Sequence, residues 1–207
     1  MRDDRPDFGR RVLMQRLAVS AGGLMIFPAV LSSHPIQHHL RDHVAVGLAD
    51  QKASALDYVP EFLDTHQLEM LQLLAERVVP GSTKANSAPF IDQLLAVATP
   101  DEQREFLQAL GGLEGLARAR AGTSWTQLTD EQHDALLTAA STANSGTPPG
   151  TRSSRSRRVT IRDHFENLKG WIVGAYYSSE PGMRELGWTE GVFFPAFPGC
   201  DHPGGHA

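Results

Sequence analysis

Three times in this chain a capping residue stands three positions ahead of a glutamate or glutamine, and each time apolar residues of helical period follow. Asp64 precedes Gln67 and the series Leu68, Leu71, Ala75 and Val78. Thr99 precedes Glu102 with Phe106, Leu107 and Leu110, and Thr129 precedes Gln132 with Ala135, Leu136 and Ala139. This is the spacing of the capping box, in which the side chains at N-cap and N3 each satisfy the other's backbone N–H and start a helix at a defined residue. Pro100 strengthens the second start, because proline at N1 lacks only an N–H that would have no intrahelical acceptor. Pro89 suits the first turn of a further helix carrying Phe90, Ile91, Leu94, Leu95 and Val97. Thr160 caps another, whose face is Ile161, Phe165, Leu168, Ile172 and Ala175 or Tyr176. Pro80-Gly81, Gly111-Gly112 and Ser178-Ser179-Glu180-Pro181-Gly182 read as stops, with a further turn or two reaching Gly122 after the second. No stretch alternates convincingly at period two. The expectation is an all-α fold, a small irregular helical bundle.

Two segments fall outside that pattern. Residues 143–158 mix Ser, Thr, Gly and Pro with Arg152, Arg155, Arg157 and Arg158. Such a linker has too little apolar surface to offset its ordering entropy, and its arginines suit either an acidic partner face or plain solvation. Beyond Gly187 the chain becomes an extended tail rich in proline, glycine and aromatics. There Trp188, Phe193, Phe194 and Phe197, with Cys200 nearby, are candidate anchors in a partner's groove. The competing reading packs the same aromatics back onto the bundle.

At the other end, Arg2, Arg5, Arg10, Arg11 and Arg16 outnumber Asp3, Asp4 and Asp7 ahead of a modestly apolar stretch from Leu17 to Leu31. Ser20, Gly22, Gly23 and Pro28 interrupt that stretch, leaving it short of the about 20 apolar residues a membrane span needs. Arg10-Arg11 in this position reads as a twin-arginine export signal and implies a periplasmic protein. Gly9 and Leu13 stand where the usual pattern has Ser or Thr and Phe, and a basic signal for the general secretion route is the alternative. Ala53-Ser54-Ala55 fits a small-x-small cleavage site but lies far past the apolar stretch, so an uncut signal is kept as an alternative. The division read from the sequence is a signal and spacer over 1–55 and a helical domain over 56–207. His34, His38, His39 and His43 read as the polar region beside the signal.

A formal charge of −5 gives no reason to expect nucleic acid. The single cysteine, Cys200, excludes an internal disulfide, a Cys-x-x-Cys-His haem site and any multi-cysteine cluster built from this chain alone. No dinucleotide fingerprint, P-loop, nucleophile elbow or His-Glu-x-x-His helix occurs. The run Gly111-Gly112-Leu-Glu-Gly115 follows a helix rather than a strand, the wrong context for a phosphate loop. Asp64, Glu69, Glu76 and Asp92 are scattered, and nothing in the sequence pairs them as acid and base. Cys200, His202 and His206 offer three ligands to a soft or borderline metal, which supports an alternative reading as an independent periplasmic metal- or redox-binding protein. No catalytic, cofactor-binding or metal-binding residue is assigned.

The segment Phe165-Glu-Asn-Leu-Lys-Gly-Trp-Ile-Val-Gly-Ala-Tyr-Tyr-Ser-Ser-Glu-Pro-Gly-Met-Arg-Glu-Leu-Gly-Trp188 resembles the gluconate 2-dehydrogenase subunit 3 family. Leu74-Ala-Glu-Arg-Val-Val-Pro80, Ala88-Pro-Phe-Ile-Asp92 and the terminal Gly-Cys-Asp-His-Pro are similar to it too, so the resemblance runs over about residues 58–203. It implies a noncatalytic small subunit of a flavin-dependent sugar or polyol dehydrogenase of the glucose–methanol–choline type. The large subunit then carries FAD and, in some members, an iron–sulfur cluster, while a cytochrome c subunit takes the electrons. The small subunit supplies the signal read by the twin-arginine translocase and supports maturation of its partner. The motifs that carry the resemblance are structural and silent about the substrate.

Overall fold

All three capping boxes are formed in the computed structural model, which describes residues 35–144 and 159–187. Among the described residues there are seven α-helices, two short 3-10 turns and no strand. A turn over His39–Arg41 leads into α1 (His43–Ala53), followed by α2 (Thr65–Val78), α3 (Ser87–Ala96) and α4 (Pro100–Ala121). A second turn, Trp125–Gln127, leads into α5 (Asp130–Thr142), and α6 (Ile161–Tyr177) and α7 (Glu180–Glu185) complete the order. The all-α expectation holds. A fourth capping box, Thr160 with Asp163, starts α6. No helix among the described residues is long and apolar enough to cross a membrane.

The bundle is organised around α3 and α6. In α3 every residue from Ser87 to Leu95 is buried, as expected of a helix packed on all sides, here against α1, α2 and α6. Helix α6 meets α2, α3, α4, α5 and α7, and it buries Phe165, Leu168, Trp171, Ile172, Ala175 and Tyr176. Its apolar face is the one the spacing predicts, with Trp171 added. Phe106 of α4 meets Trp171 edge to face, with ring centroids 5.7 Å apart. Trp125, on the second turn, is fully buried.

Several local readings are corrected. Gly111-Gly112 does not stop a helix: α4 runs unbroken to Gly122, whose left-handed φ of 73° makes the C-cap. Gly112 is retained at a close approach, since a Cβ there would lie 2.6 Å from the ring of His164. Val97 caps the end of α3 and is 67% exposed instead of joining the core. The inward face of α5 is His133, Leu136 and Ala140, one residue displaced from the set containing Ala135 and Ala139. The stop at Ser178 holds, since α6 ends at Tyr177, but Pro181 then belongs to a new start, because Ser179 caps α7 and proline is tolerated in a first turn.

The bundle also begins earlier than the spacing of signals indicates. Ile36, Val46, Ala49 and Ala53 are all core residues, and α1 packs on α3. Residues 1–34, 145–158 and 188–207 lie outside the described residues. The readings of Arg10, Arg11, Trp188, Phe193, Phe194, Phe197, Cys200, His202 and His206 fall there.

Candidate functional site

The carboxylate of Asp92 is buried and heavily bonded. It lies on α3 with no exposed surface and accepts four donors from the segment ahead of α2. Oδ2 takes the Tyr58 hydroxyl at 2.5 Å and the Glu61 N–H at 2.7 Å, while Oδ1 takes the N–H groups of Phe62 at 3.1 Å and Leu63 at 2.6 Å. Three amides and a phenol satisfy a buried charge that would otherwise be costly to desolvate. Burial, then the Asp92 hydrogen bond, pushes the Tyr58 phenol above its ordinary value, so it stays a donor. This centre anchors an irregular segment to the bundle. The sequence pairs Asp92 with no partner because three of its donors are backbone amides about thirty residues away.

The other charged residues of the family-like motifs have similar structural work. Glu76 spans the loop after α2, its two oxygens accepting the N–H groups of Gly81 and Thr83, each at 2.8 Å. Those bonds, Gly81 first, hold its carboxyl below the ordinary value. Arg77 forks to Asp130 and Asp134, tying α2 to the start of α5.

A second polar centre lies where the first turn meets the start of α4. His38 Nε2 is 2.9 Å and His39 Nε2 3.5 Å from the same oxygen, Oε1 of Glu102. The other oxygen, Oε2, accepts the Thr99 N–H at 2.9 Å and its hydroxyl at 2.6 Å. The capping box that begins α4 thus aims one carboxylate oxygen at the two imidazoles. Their ring centroids lie 3.9 Å apart with the planes tilted by 41°, and the His39 centroid also lies 5.5 Å from that of Trp171. Burial, then the neighbouring His38, holds the His39 imidazole below its ordinary value against the attraction of Glu102. Among the described residues this is the group of three His, Cys, Asp or Glu ligands close enough to share a metal ion. Reading these histidines as the polar end of a signal missed it, because Glu102 already had a role as a helix cap.

An open cleft of about 500 Å³ is lined by His66, Arg118, Gly122, Thr123, Ser124 and Gln127. Its Arg118 pairs with Glu114, which also accepts the Trp125 N–H at 2.8 Å. Elsewhere Val44 and Leu48, one turn apart on α1, are exposed, as are Leu56 and Val59 in the segment that follows.

Compared with known families, residues 65–195 match Gluconate 2-dehydrogenase subunit 3. No curated protein and no solved structure matches the chain. The matched span opens at α2 and takes in Asp92, Glu76 and Arg77, whereas α1 and the His38-His39 turn lie ahead of it. Because the match covers more than half of the chain, this protein belongs to the gluconate 2-dehydrogenase subunit 3 family, named for a subunit of a dehydrogenase complex.

Proposed function

We propose that this chain is the noncatalytic small subunit of an exported, FAD-dependent sugar or polyol dehydrogenase of the glucose–methanol–choline type, and the escort that carries its large subunit to the periplasm. The observation that carries this reading is the Arg10-Arg11 pair ahead of a weak apolar stretch, in a chain of a dehydrogenase-subunit family. FAD, with an iron–sulfur cluster in some complexes, belongs to the large subunit, and a cytochrome c subunit receives the electrons. The exposed Val44, Leu48, Leu56 and Val59 support a role in assembly, since apolar side chains of this kind are what protein interfaces cover. Trp188, Phe193, Phe194, Phe197 and Cys200 are the proposed contacts of the tail with the large subunit.

The test is the double change Arg10→Lys and Arg11→Lys in the native host, which keeps the charge and removes the guanidinium geometry. Both this chain and its large subunit should then remain in the cytoplasm. Normal periplasmic dehydrogenase activity in that variant overturns the escort role. Truncation after Gly187 tests the tail: the chain should stay helical but no longer co-purify with the flavoprotein. Unfolding of the truncated chain would assign the tail to the core instead.

A further inference from the structure

We propose that His38, His39 and Glu102 form a binding site for one divalent transition-metal ion of the zinc class, with a fourth position left open. Two imidazole nitrogens and a carboxylate oxygen are the donor set such ions take with three protein ligands. Bonds of about 2.0–2.2 Å in tetrahedral geometry put neighbouring ligand atoms about 3.3 Å apart. The two edges to Glu102 Oε1 are 2.9 and 3.5 Å, and all three ligand atoms lie within 4.8 Å of one another. The two edges to Glu102 thus bracket the required distance, and closing around an ion needs the two imidazoles to adjust to each other.

An independent observation supports a ligand at this point. The His39 side chain is only 10% exposed, yet its Nε2 is buried and makes no hydrogen bond. A buried nitrogen that faces a carboxylate oxygen without a hydrogen bond needs a partner, and a cation shared with that oxygen would supply one. Glu102 Oε1 sits at 2.9 Å from His38 but at 3.5 Å from His39, whose Nε2 is left in the ion pair without a hydrogen bond.

The surroundings are those of a supported site. Thr99 holds the second oxygen of Glu102, the outer-shell role that fixes a ligating carboxylate. The turn is pinned by the Leu40 N–H to the Ile36 carbonyl at 3.2 Å, and Ile36 is fully buried. The partial positive charge at the start of α4 opposes a bare cation, and the full charge of Glu102 offsets it. A bound ion would staple the turn ahead of α1 to the first turn of α4, joining the leader-proximal segment to the bundle.

The test uses the full chain, stripped of metal and titrated with zinc. One ion per chain should bind, and zinc should raise the melting temperature. His38→Ala and His39→Ala should each weaken binding about tenfold or more and abolish the thermal shift. Glu102→Gln removes the charge but keeps an amide able to cap α4, as Gln67 caps α2 and Gln132 caps α5. It should also lose zinc while remaining helical. Cobalt should give the intense visible bands of a four-coordinate site in the wild type and not in His38→Ala, whose half-exposed side chain is safe to remove. The triple change Cys200→Ser, His202→Ala and His206→Ala should leave binding intact. Failure of the wild type to bind stoichiometric zinc overturns the proposal. So does binding that follows the tail residues and survives in His38→Ala and Glu102→Gln.

Discussion

Ile36 packs onto Gly174 of α6 so closely that a Cβ on the glycine would lie 2.1 Å from the isoleucine Cγ2. A residue from the segment ahead of α1 therefore seats on the central helix of the bundle. Gly174→Ala should destabilise the fold by about 1–3 kcal/mol, despite alanine's better helix propensity. In an Ile36→Ala background the same change should be neutral or stabilising, because the clash has gone. Denaturant midpoints of the four proteins in the cycle check this, and equal effects in both backgrounds would contradict the contact.

The same contact constrains processing. A cut after Ala55 would remove Ile36, Val46, Ala49 and Ala53 from the core, and each large side chain lost from a core is worth about 2–5 kcal/mol. If the chain is exported as proposed, its mature form should therefore keep every residue from Pro35 onward. Intact-mass measurement of the protein purified from its native host decides the point; a mature chain starting at Leu56 would contradict it.

Asp92→Ala should be among the most damaging changes outside the apolar core. It leaves the N–H groups of Glu61, Phe62 and Leu63 without their acceptor, at about 1–3 kcal/mol for each one that stays buried. Tyr58→Phe removes one donor of four and should cost about 1 kcal/mol. Urea titration would separate the two, and comparable losses would remove Asp92 from its central place.

The paired glycines of α4 should respond in opposite directions. Gly111 has open space where a Cβ would stand, so Gly111→Ala should stabilise by about 0.5–1 kcal/mol. Gly112→Ala meets the His164 ring and should destabilise. Thermal melts of the two single variants give the comparison.

Glu76 should shape the acid limb of stability. Its folded carboxyl lies below the ordinary value of 4.5 because it accepts from Gly81 and then from Thr83. A depressed carboxylate contributes stability above the unfolded value, and that contribution is lost as pH falls through the folded value. Wild type should thus exceed Glu76→Gln at neutral pH, with the gap closing below about pH 4.5. A gap independent of pH would show that the carboxylate charge plays no part.

The legible parts of this fold were those decided within a few residues. Asp64, Thr99 and Thr129 start helices because each box is complete within four positions. The apolar face of α6 follows from its period. What depends on distant partners was hidden. Gly112 resembles a stop until His164, from another helix, is seen against it. Asp92 looks isolated because its partners are mostly backbone amides, which no sequence pattern marks. His38 and His39 were masked by their nearness to the apolar stretch read as a signal, and Glu102 by its evident role as a cap. Pro181 and Gly182 are good turn residues, and only the Ser179 hydroxyl accepting from the Gly182 N–H at 3.3 Å turns them into a helix start.

The guanidinium of Arg162, in the first turn of α6, donates to the carbonyl of Ala143, just past α5, at 3.4 Å. The two ends of the arginine-rich linker are thereby brought side by side by helices that already pack together. Closing a loop between fixed ends becomes only slowly harder with length, about 0.6 kcal/mol for each doubling. The position is a natural socket, able to accept a longer or shorter sequence with little change in the bundle beneath. A reporter or affinity handle inserted between Ala143 and Arg162 would leave both termini untouched.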